Sequence, residues 1–301
     1  MFPHPVGIIY SATLRLTPRL RVERMVDIID LDDAMNAVFR RAEEGCLYGD
    51  FQFVIDTHDI GFLRRGVFAC YKPAGADKAT PETQADLTPE HWLKLLKLAH
   101  DDKGQAFRLY AQHYLSTDGN RYWSDTMQLS TYLPSYADFL ESTRHPASAG
   151  CVKETLVIGE HYVPREQLLT FMQAARETFK HFGTEVIYGT IRAILRDTVS
   201  FLPWAGENFV CIIFNLRTPH TAEGREKTAS TFRALIDASI HSRGSFFLTY
   251  HRHASASQVE RCYPRFPEWL ALKKQYDPSE LFTSVWYLHY RDEFHAHLAK
   301  P

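Results

Sequence analysis

The chain has 301 residues, 45% of them hydrophobic and 23% charged, and its formal net charge at pH 7 is −2. This length allows one large domain or two modest ones. The near-neutral charge argues against general attraction to nucleic acid or to a membrane surface, and no run approaches the roughly 18 apolar residues of a membrane span. The first residues also lack the charged and apolar regions of a signal peptide, so we expect a globular protein of the cytoplasm.

The cysteines are odd in number and widely spaced, and no pair has the spacing of a metal-binding or redox motif. Dispersed cysteines of this kind favour reduced thiols in a reducing compartment, most of them buried. The sequence therefore predicts neither a disulfide framework nor a metal site. The cysteines are Cys46, Cys70, Cys151, Cys211 and Cys262.

The first part of the chain alternates strands with helices. Residues 7–16 alternate in polarity and predict a strand. Because this strand has no obvious partner, we expect it to expose an unpaired edge and an apolar face. The later predicted elements are strands at 21–29, 51–56 and 66–71, a helix at 31–44, and a helical region from Thr88 to Leu115 with a break near Lys103. Residues 117–150 predict a long irregular connection.

The second part repeats this order. It contains predicted strands at 153–162, 185–195, 209–216 and 245–250, long helices at 165–181 and 222–241, and short helices at 257–262 and 267–275. The order β-α-β-β-α-β is that of a ferredoxin-like unit. We therefore expect an α+β protein, in which helices cover an antiparallel sheet that two ferredoxin-like halves share.

Both ends of the chain carry family motifs. Residues 7–18 read G-I-I-Y-S-A-T-L-R-L-T-P, and the segment 263–282 starts with Tyr-Pro and ends in D-P-S-E-L-F. Both resemble the vanillyl-alcohol oxidase type of FAD-linked oxidases, in particular the aldonolactone and alditol oxidase branch. The resemblance implies that residues 1–18 are the last strand of a truncated FAD-binding domain. Residues 19–255 would be the substrate or cap domain, and residues 256–301 a tail that returns to the FAD domain.

The strand at 185–195 carries the first candidate site residues. Alternation places Tyr188, Thr190 and Arg192 on one face. An arginine among hydrophobic residues must meet an anion, carbonyl oxygens or solvent, because burial without a partner is costly. Alditol oxidases carry a Glu-x-Arg pair in this strand that faces the flavin and the substrate hydroxyls. Arg192 matches the arginine, whereas Thr190 replaces the glutamate, which weakens the case for a sugar alcohol as substrate.

The end of the strand at 245–250 supplies further candidates. In the relatives, a basic residue near this point reaches the flavin ring, and His251 or Arg252 matches it. A cation there stabilises negative charge, and His251 could also take a proton from a substrate hydroxyl. We expect Arg192 and the His251–Arg252 pair, the predicted catalytic residues, on the same side of the sheet. A metal site on His251 and His253 is the alternative, but two ligands are too few.

The remaining candidates also follow from the resemblance. Tyr188, Thr190, Tyr250 and His161 are predicted to bind substrate; His161 lies in a strand-to-helix corner similar to that of the relatives. Thr283, Ser284 and Trp286, which follow the tail motif, are predicted to lie near the flavin.

The predicted activity is the oxidation of an alcohol or sugar-lactone-like hydroxyl by hydride transfer to FAD. The predicted partners are a small-molecule substrate and the missing FAD-binding domain or its separate chain. The sequence contains neither G-x-G-x-x-G nor G-x-x-x-x-G-K-(S/T) for a pyrophosphate, so we expect the chain alone to be colourless. Two alternatives remain open: a non-catalytic α+β interaction protein derived from such a cap domain, and a stand-alone ferredoxin-like enzyme that uses the His251 region.

Overall fold

The computed structural model describes residues 7–75, 79–81, 87–125 and 152–298. Within the described residues, the first unit of the fold contains four strands and three helices. They are β1 (Arg21–Asp30), α1 (Leu31–Glu43), β2 (Tyr48–Phe53), β3 (Arg65–Pro73), α2 (Pro89–Asp101), α3 (Lys103–Ser116) and β4 (Arg121–Trp123).

The second unit repeats this order, and a helical tail follows it. Its elements are β5 (Glu154–Pro164), α4 (Leu168–Phe182), β6 (Val186–Ala193), β7 (Phe209–Pro219), α5 (Ala222–His241) and β8 (Ser245–Phe246). A 3-10 turn, Arg165–Gln167, leads into α4. The tail helices are α6 (Ala256–Cys262), α7 (Phe266–Tyr276) and α8 (Val285–Leu298).

All eight strands form one antiparallel sheet in the order β4-β1-β3-β2-β6-β7-β5-β8. Within each unit the spatial order is fourth, first, third, second, as in a ferredoxin-like unit. The units meet at a seam between β2 and β6, where Phe51 pairs with Ile191. The predicted fold class, α+β with two ferredoxin-like halves in one antiparallel sheet, is confirmed.

The main core lies on one side of the sheet, which we call the helix-covered face. Helices α1, α4 and α5 pack there, and Phe171, Phe179 and Phe232 are fully buried. Each of these rings contributes about 2–3 kcal/mol by leaving water. The first unit differs from the second, because α2 and α3 pack on the opposite face of the sheet, against residues such as Val26 and Ala69.

Local signals explain the helix ends. The Thr88 side chain accepts a hydrogen bond from the His91 N–H at the start of α2, and Thr221 accepts one from Gly224 at the start of α5. Gly45, with φ of 91°, ends α1 in the left-handed region. The predicted bounds of α5 agree with the structure, and the predicted break near Lys103 separates α2 from α3.

Several predicted elements differ from the structure. Residues 7–20 form neither helix nor strand, because the described chain offers their backbone no strand to pair with. The predicted strand at 245–250 ends at Phe246, and β4 and α8 were not predicted. Most of the predicted irregular connection, residues 126–150, lies outside the described residues. Among the described helices, none is long and apolar enough to cross a membrane.

Candidate functional site

Strand β6 brings the predicted residues to one face of the sheet. Its register with β7 pairs Tyr188 with Asn215, Thr190 with Ile213 and Arg192 with Cys211. Alternation therefore places Tyr188, Thr190 and Arg192 together, on the side away from α4 and α5. We call this side of β5, β6 and β7 the open face, since β5 and β7 carry no described helix there. The segment around Ala205 packs on this face with Tyr162, Phe209, Cys211 and Ile213, all of which are buried.

Glu160 of β5 is the hydrogen-bonding centre of the open face. Its carboxylate accepts hydrogen bonds from the Tyr162 hydroxyl at 2.6 Å and from the Tyr250 hydroxyl at 3.1 Å. Burial and the neighbouring Glu160 carboxylate raise the pKa of Tyr250 to about 12, while Arg192 acts in the opposite direction. Tyr250 therefore stays protonated at neutral pH and remains a donor. A carboxylate, a phenol and a guanidinium thus share this part of the open face.

Asp50 of β2 extends this polar group across the seam. The Asp50 carboxylate accepts hydrogen bonds of 3.1 Å from Gln52 Nε2 and from Thr190 Oγ1. Burial raises the pKa of Asp50 to about 6, and the hydrogen bonds and the cations Arg192 and Arg24 limit the rise. A buried carboxyl group that titrates near neutral pH is typical of functional sites.

Arg24 anchors the neighbouring part of the first unit. Its side chain is fully buried, donates to the Tyr71 hydroxyl and to Thr117 Oγ1 at 2.9 Å each, and lies against the rings of Tyr114 and Tyr122. Thr117 follows α3, so these contacts hold the end of α3 on the sheet. Cation–π contacts of a desolvated arginine stabilise such an arrangement.

The sequence predicted that Arg192 and the His251–Arg252 pair lie on the same side of the sheet, but the structure places His251 on the helix-covered face. The His251 ring stacks on Phe232 of α5, with centroids 4.2 Å apart, and burial lowers its pKa. Arg252 is exposed to solvent. The alternation used for the prediction stops at Phe246, where β8 ends, and Tyr250 is the residue of this segment that reaches Glu160.

His161 also lies away from the open face. It is fully buried on the helix-covered face, where its ring lies 5.4 Å from that of Phe171 and its Nδ1 is 3.0 Å from Ser239 Oγ. Burial lowers the pKa of His161 to about 3, so the imidazole is neutral. The predicted contact of His161 with substrate is incompatible with this position, because its strand neighbour Tyr162 takes the open side.

Tyr188 faces the region where α2 and α3 meet the sheet. It lines an apolar cavity there together with Trp92, Leu96, Phe107 and Tyr110. Thr190 is fully buried and hydrogen-bonded, so of the predicted substrate-binding residues Tyr250 is the most exposed, at 42%.

The predicted cofactor residues belong to the tail. Ser284 Oγ accepts a hydrogen bond from the Tyr287 N–H at 3.1 Å and so caps α8. Trp286 donates from Nε1 to the Leu248 carbonyl oxygen at 2.8 Å and packs among aromatic side chains. Thr283 is exposed. The structure gives Ser284 and Trp286 structural contacts, and their role toward a flavin stays a prediction.

Asp277 is the hydrogen-bonding centre of the turn in the tail motif. It accepts hydrogen bonds from the N–H groups of Leu281 and Phe282 at 2.9 Å each, and it pairs with the buried Lys273. The Lys273 hydrogen bond lowers the pKa of Asp277 to about 2. The segment 277–282 is therefore a closed turn between α7 and α8.

Sequence reasoning missed Asp50 and gave Glu160 no role. A signal was present, because polar residues alternate with aromatic ones in β2, where Asp50 and Gln52 flank Phe51. Within the described part of the chain, no three His, Cys, Asp or Glu side chains come together as a metal site.

Comparisons with known proteins add little. No family model matches the sequence, and no curated protein matches it. Among solved structures, the chain is similar to alkyldihydroxyacetonephosphate synthase with 11% identity and a TM-score of 0.40, and the match covers 86% of this chain and 44% of that chain. The chain thus spans less than half the length of that protein. A likeness of this size establishes neither a shared activity nor a shared ligand.

Proposed function

We propose that this chain supplies the substrate-binding surface of an FAD-dependent oxidoreductase that oxidises an alcohol or another hydroxyl-bearing carbon. The observation that carries the proposal is that Arg192 lies within electrostatic reach of Asp50 on one side and of Tyr250, which is hydrogen-bonded to Glu160, on the other. The motifs at residues 7–18 and 263–282 support the same family. When bound, FAD supplies the hydride acceptor.

The residues of the open face have distinct tasks in this proposal. Arg192 offsets negative charge on a substrate oxygen or on the flavin ring. Glu160 accepts a further hydrogen bond from a substrate hydroxyl, and the Tyr250 hydroxyl, which donates its own proton to Glu160, accepts one. Asp50 supplies a carboxylate beside Thr190, the position at which the related oxidases carry a glutamate. A second strand thus provides the carboxylate that β6 lacks.

In this proposal the residues of the open face contact one side of the flavin ring. Arg192 suits the electron-rich ring, whereas a pyrophosphate needs a cradle of backbone N–H groups, for which the sequence offers no Gly-rich motif. We therefore propose that another domain or chain holds the phosphates. The exposed Tyr10 and Leu16 side chains, 98% and 88% accessible, support a partner surface near residues 7–20, since such side chains favour apolar contacts.

A first experiment measures flavin binding by the purified chain. We expect a colourless protein, and added FAD should bind weakly, because the chain contacts only the ring. The measurement is the flavin absorbance that remains with the protein after gel filtration. A yellow protein with one FAD per chain would contradict the proposed division of tasks.

A second experiment tests Arg192 in the assembled enzyme. The tagged chain is isolated from its source with its native partner, and substrate-driven loss of flavin absorbance is followed by stopped flow. We expect Arg192→Ala to slow flavin reduction by about 100-fold, because a preorganised cation contributes on this scale, and Arg192→Lys to restore part of the rate. The control is Arg40→Ala, which removes an exposed arginine of α1.

Two outcomes would count against the proposal. One is a native complex that contains no flavin, which would favour the non-catalytic interaction protein. The other is an equal rate of flavin reduction in the Arg192→Ala and Arg40→Ala enzymes.

A further inference from the structure

Three sulfur atoms converge on the helix-covered face of the first unit. Cys46 Sγ lies 3.7 Å from Cys70 Sγ and 4.0 Å from Met25 Sδ. Met25 of β1 and Cys70 of β3 are direct partners in the sheet, so their side chains leave the same face side by side. Cys46 Sγ therefore contacts both other sulfur atoms, and those two come from residues that are paired in the sheet.

The backbone fixes this arrangement. Gly45 adopts a positive φ of 91°, its N–H bonds to the Ala42 carbonyl oxygen, and the Cys46 N–H bonds to the Arg41 carbonyl oxygen. This pair of bonds is the Schellman motif that closes a helix. It turns the chain back toward the sheet directly after α1, so that Cys46 is placed above β1 and β3 by the turn itself.

The distances suit a three-coordinate metal ion. Metal–sulfur bonds of about 2.3 Å in a plane would hold three donors about 4 Å apart, close to the observed separations of 3.7 and 4.0 Å. Thiolate and thioether donors select Cu(I), whereas a structural Zn²⁺ site requires four ligands. We propose that Met25, Cys46 and Cys70 form a Cu(I) site.

When Cu⁺ binds, the thiols of Cys46 and Cys70 release their two protons to solvent. The resulting complex of one Cu⁺ with two thiolates carries one negative charge. Arg41 lies close enough to Cys70 to interact with it electrostatically, and the same guanidinium is also paired with Asp27 and Glu44. Cys70 is buried while Cys46 is half-buried, so Cys46 provides the entry point for the ion.

The test is a competition titration of the reduced chain, without oxygen, between the protein and the chromophoric Cu(I) chelator bicinchoninate. We expect one Cu(I) per chain, and X-ray absorption should show three sulfur ligands at about 2.3 Å. Cys46→Ser should weaken binding by at least about 100-fold, since it removes a ligand itself. Met25→Leu, which keeps the shape of the side chain, should weaken it by about 10-fold.

The matched control is Cys262→Ser, which removes another half-buried thiol and should leave the affinity unchanged. Circular dichroism verifies that each variant is folded, and Cu(I) should raise the melting temperature of the parent chain but not of Cys46→Ser. Unchanged affinity in Cys46→Ser would overturn the proposal. Unchanged affinity in Met25→Leu would also overturn it, because two thiols alone would then account for the binding.

Discussion

Gly189→Ala is expected to destabilise the protein by about 3 kcal/mol, because an added methyl group at this position overpacks a closed part of the core. A Cβ on Gly189 would lie 2.7 Å from the Ile213 carbonyl oxygen and closer still to the Phe53 ring. The ring itself packs on Phe214, with centroids 5.6 Å apart. Phe53 cannot withdraw without disturbing β2 at the seam, and the Ile213 carbonyl cannot withdraw without disturbing the pairing of β6 with β7.

Urea unfolding followed by far-UV circular dichroism measures this effect. The control is Gly206→Ala, where an added Cβ meets no atom within 4 Å. We expect the control to remain within about 0.5 kcal/mol of the parent chain, as is usual for open surface positions. Equal midpoints for the two variants would show that the seam tolerates the methyl group.

Asp50→Asn is expected to become more stable relative to the parent chain as the pH rises. Burial raises the pKa of Asp50 from 3.8 to about 6, so the folded state prefers the protonated carboxyl group. The parent chain has this advantage in full below about pH 4 and loses it as the pH passes through about 6, a difference of about 3 kcal/mol. Asparagine does not titrate and should not show this loss.

The measurement is the free energy of unfolding in urea at a series of pH values from about 4 to about 8, which span the titration of the Asp50 carboxyl group. Asp33→Asn removes one exposed carboxylate from the first turn of α1 and serves as the control for a change in net charge. Parallel pH curves for Asp50→Asn and the parent chain would show that Asp50 does not titrate as its surroundings indicate.

Local patterns were sufficient to predict most of the elements. The caps at Thr88 and Thr221 act within one turn, and alternation along β6 placed Tyr188, Thr190 and Arg192 correctly because the strand continues through all three. The same rule failed for His251, since β8 ends five residues earlier, at Phe246. The alternation of a strand predicts the orientation of side chains only within that strand.

Long-range placement could not be read from the sequence. The carboxylate that contacts Thr190 comes from Asp50, 140 positions away along the chain, and nothing local specifies that β2 pairs with β6. The same limit applies to Met25, Cys46 and Cys70. Their spacing matches no metal motif, and they meet because β1 pairs with β3 and because the turn after α1 places Cys46 above both strands.

The position of α2 and α3 gives the open face a boundary. In the second unit the segment around Ala205 covers part of this face of the sheet, whereas in the first unit the helix pair α2 and α3 packs on the same side, next to the seam. Asp50, Thr190 and Arg192 lie at the edge of the open face, next to the helix pair α2 and α3. Asp50 and Thr190 are buried there, whereas Arg192 is partly exposed. A molecule bound at Arg192 would keep one side in contact with water unless further protein atoms covered it. The electrostatic interaction of Arg192 with that molecule would strengthen when water is excluded.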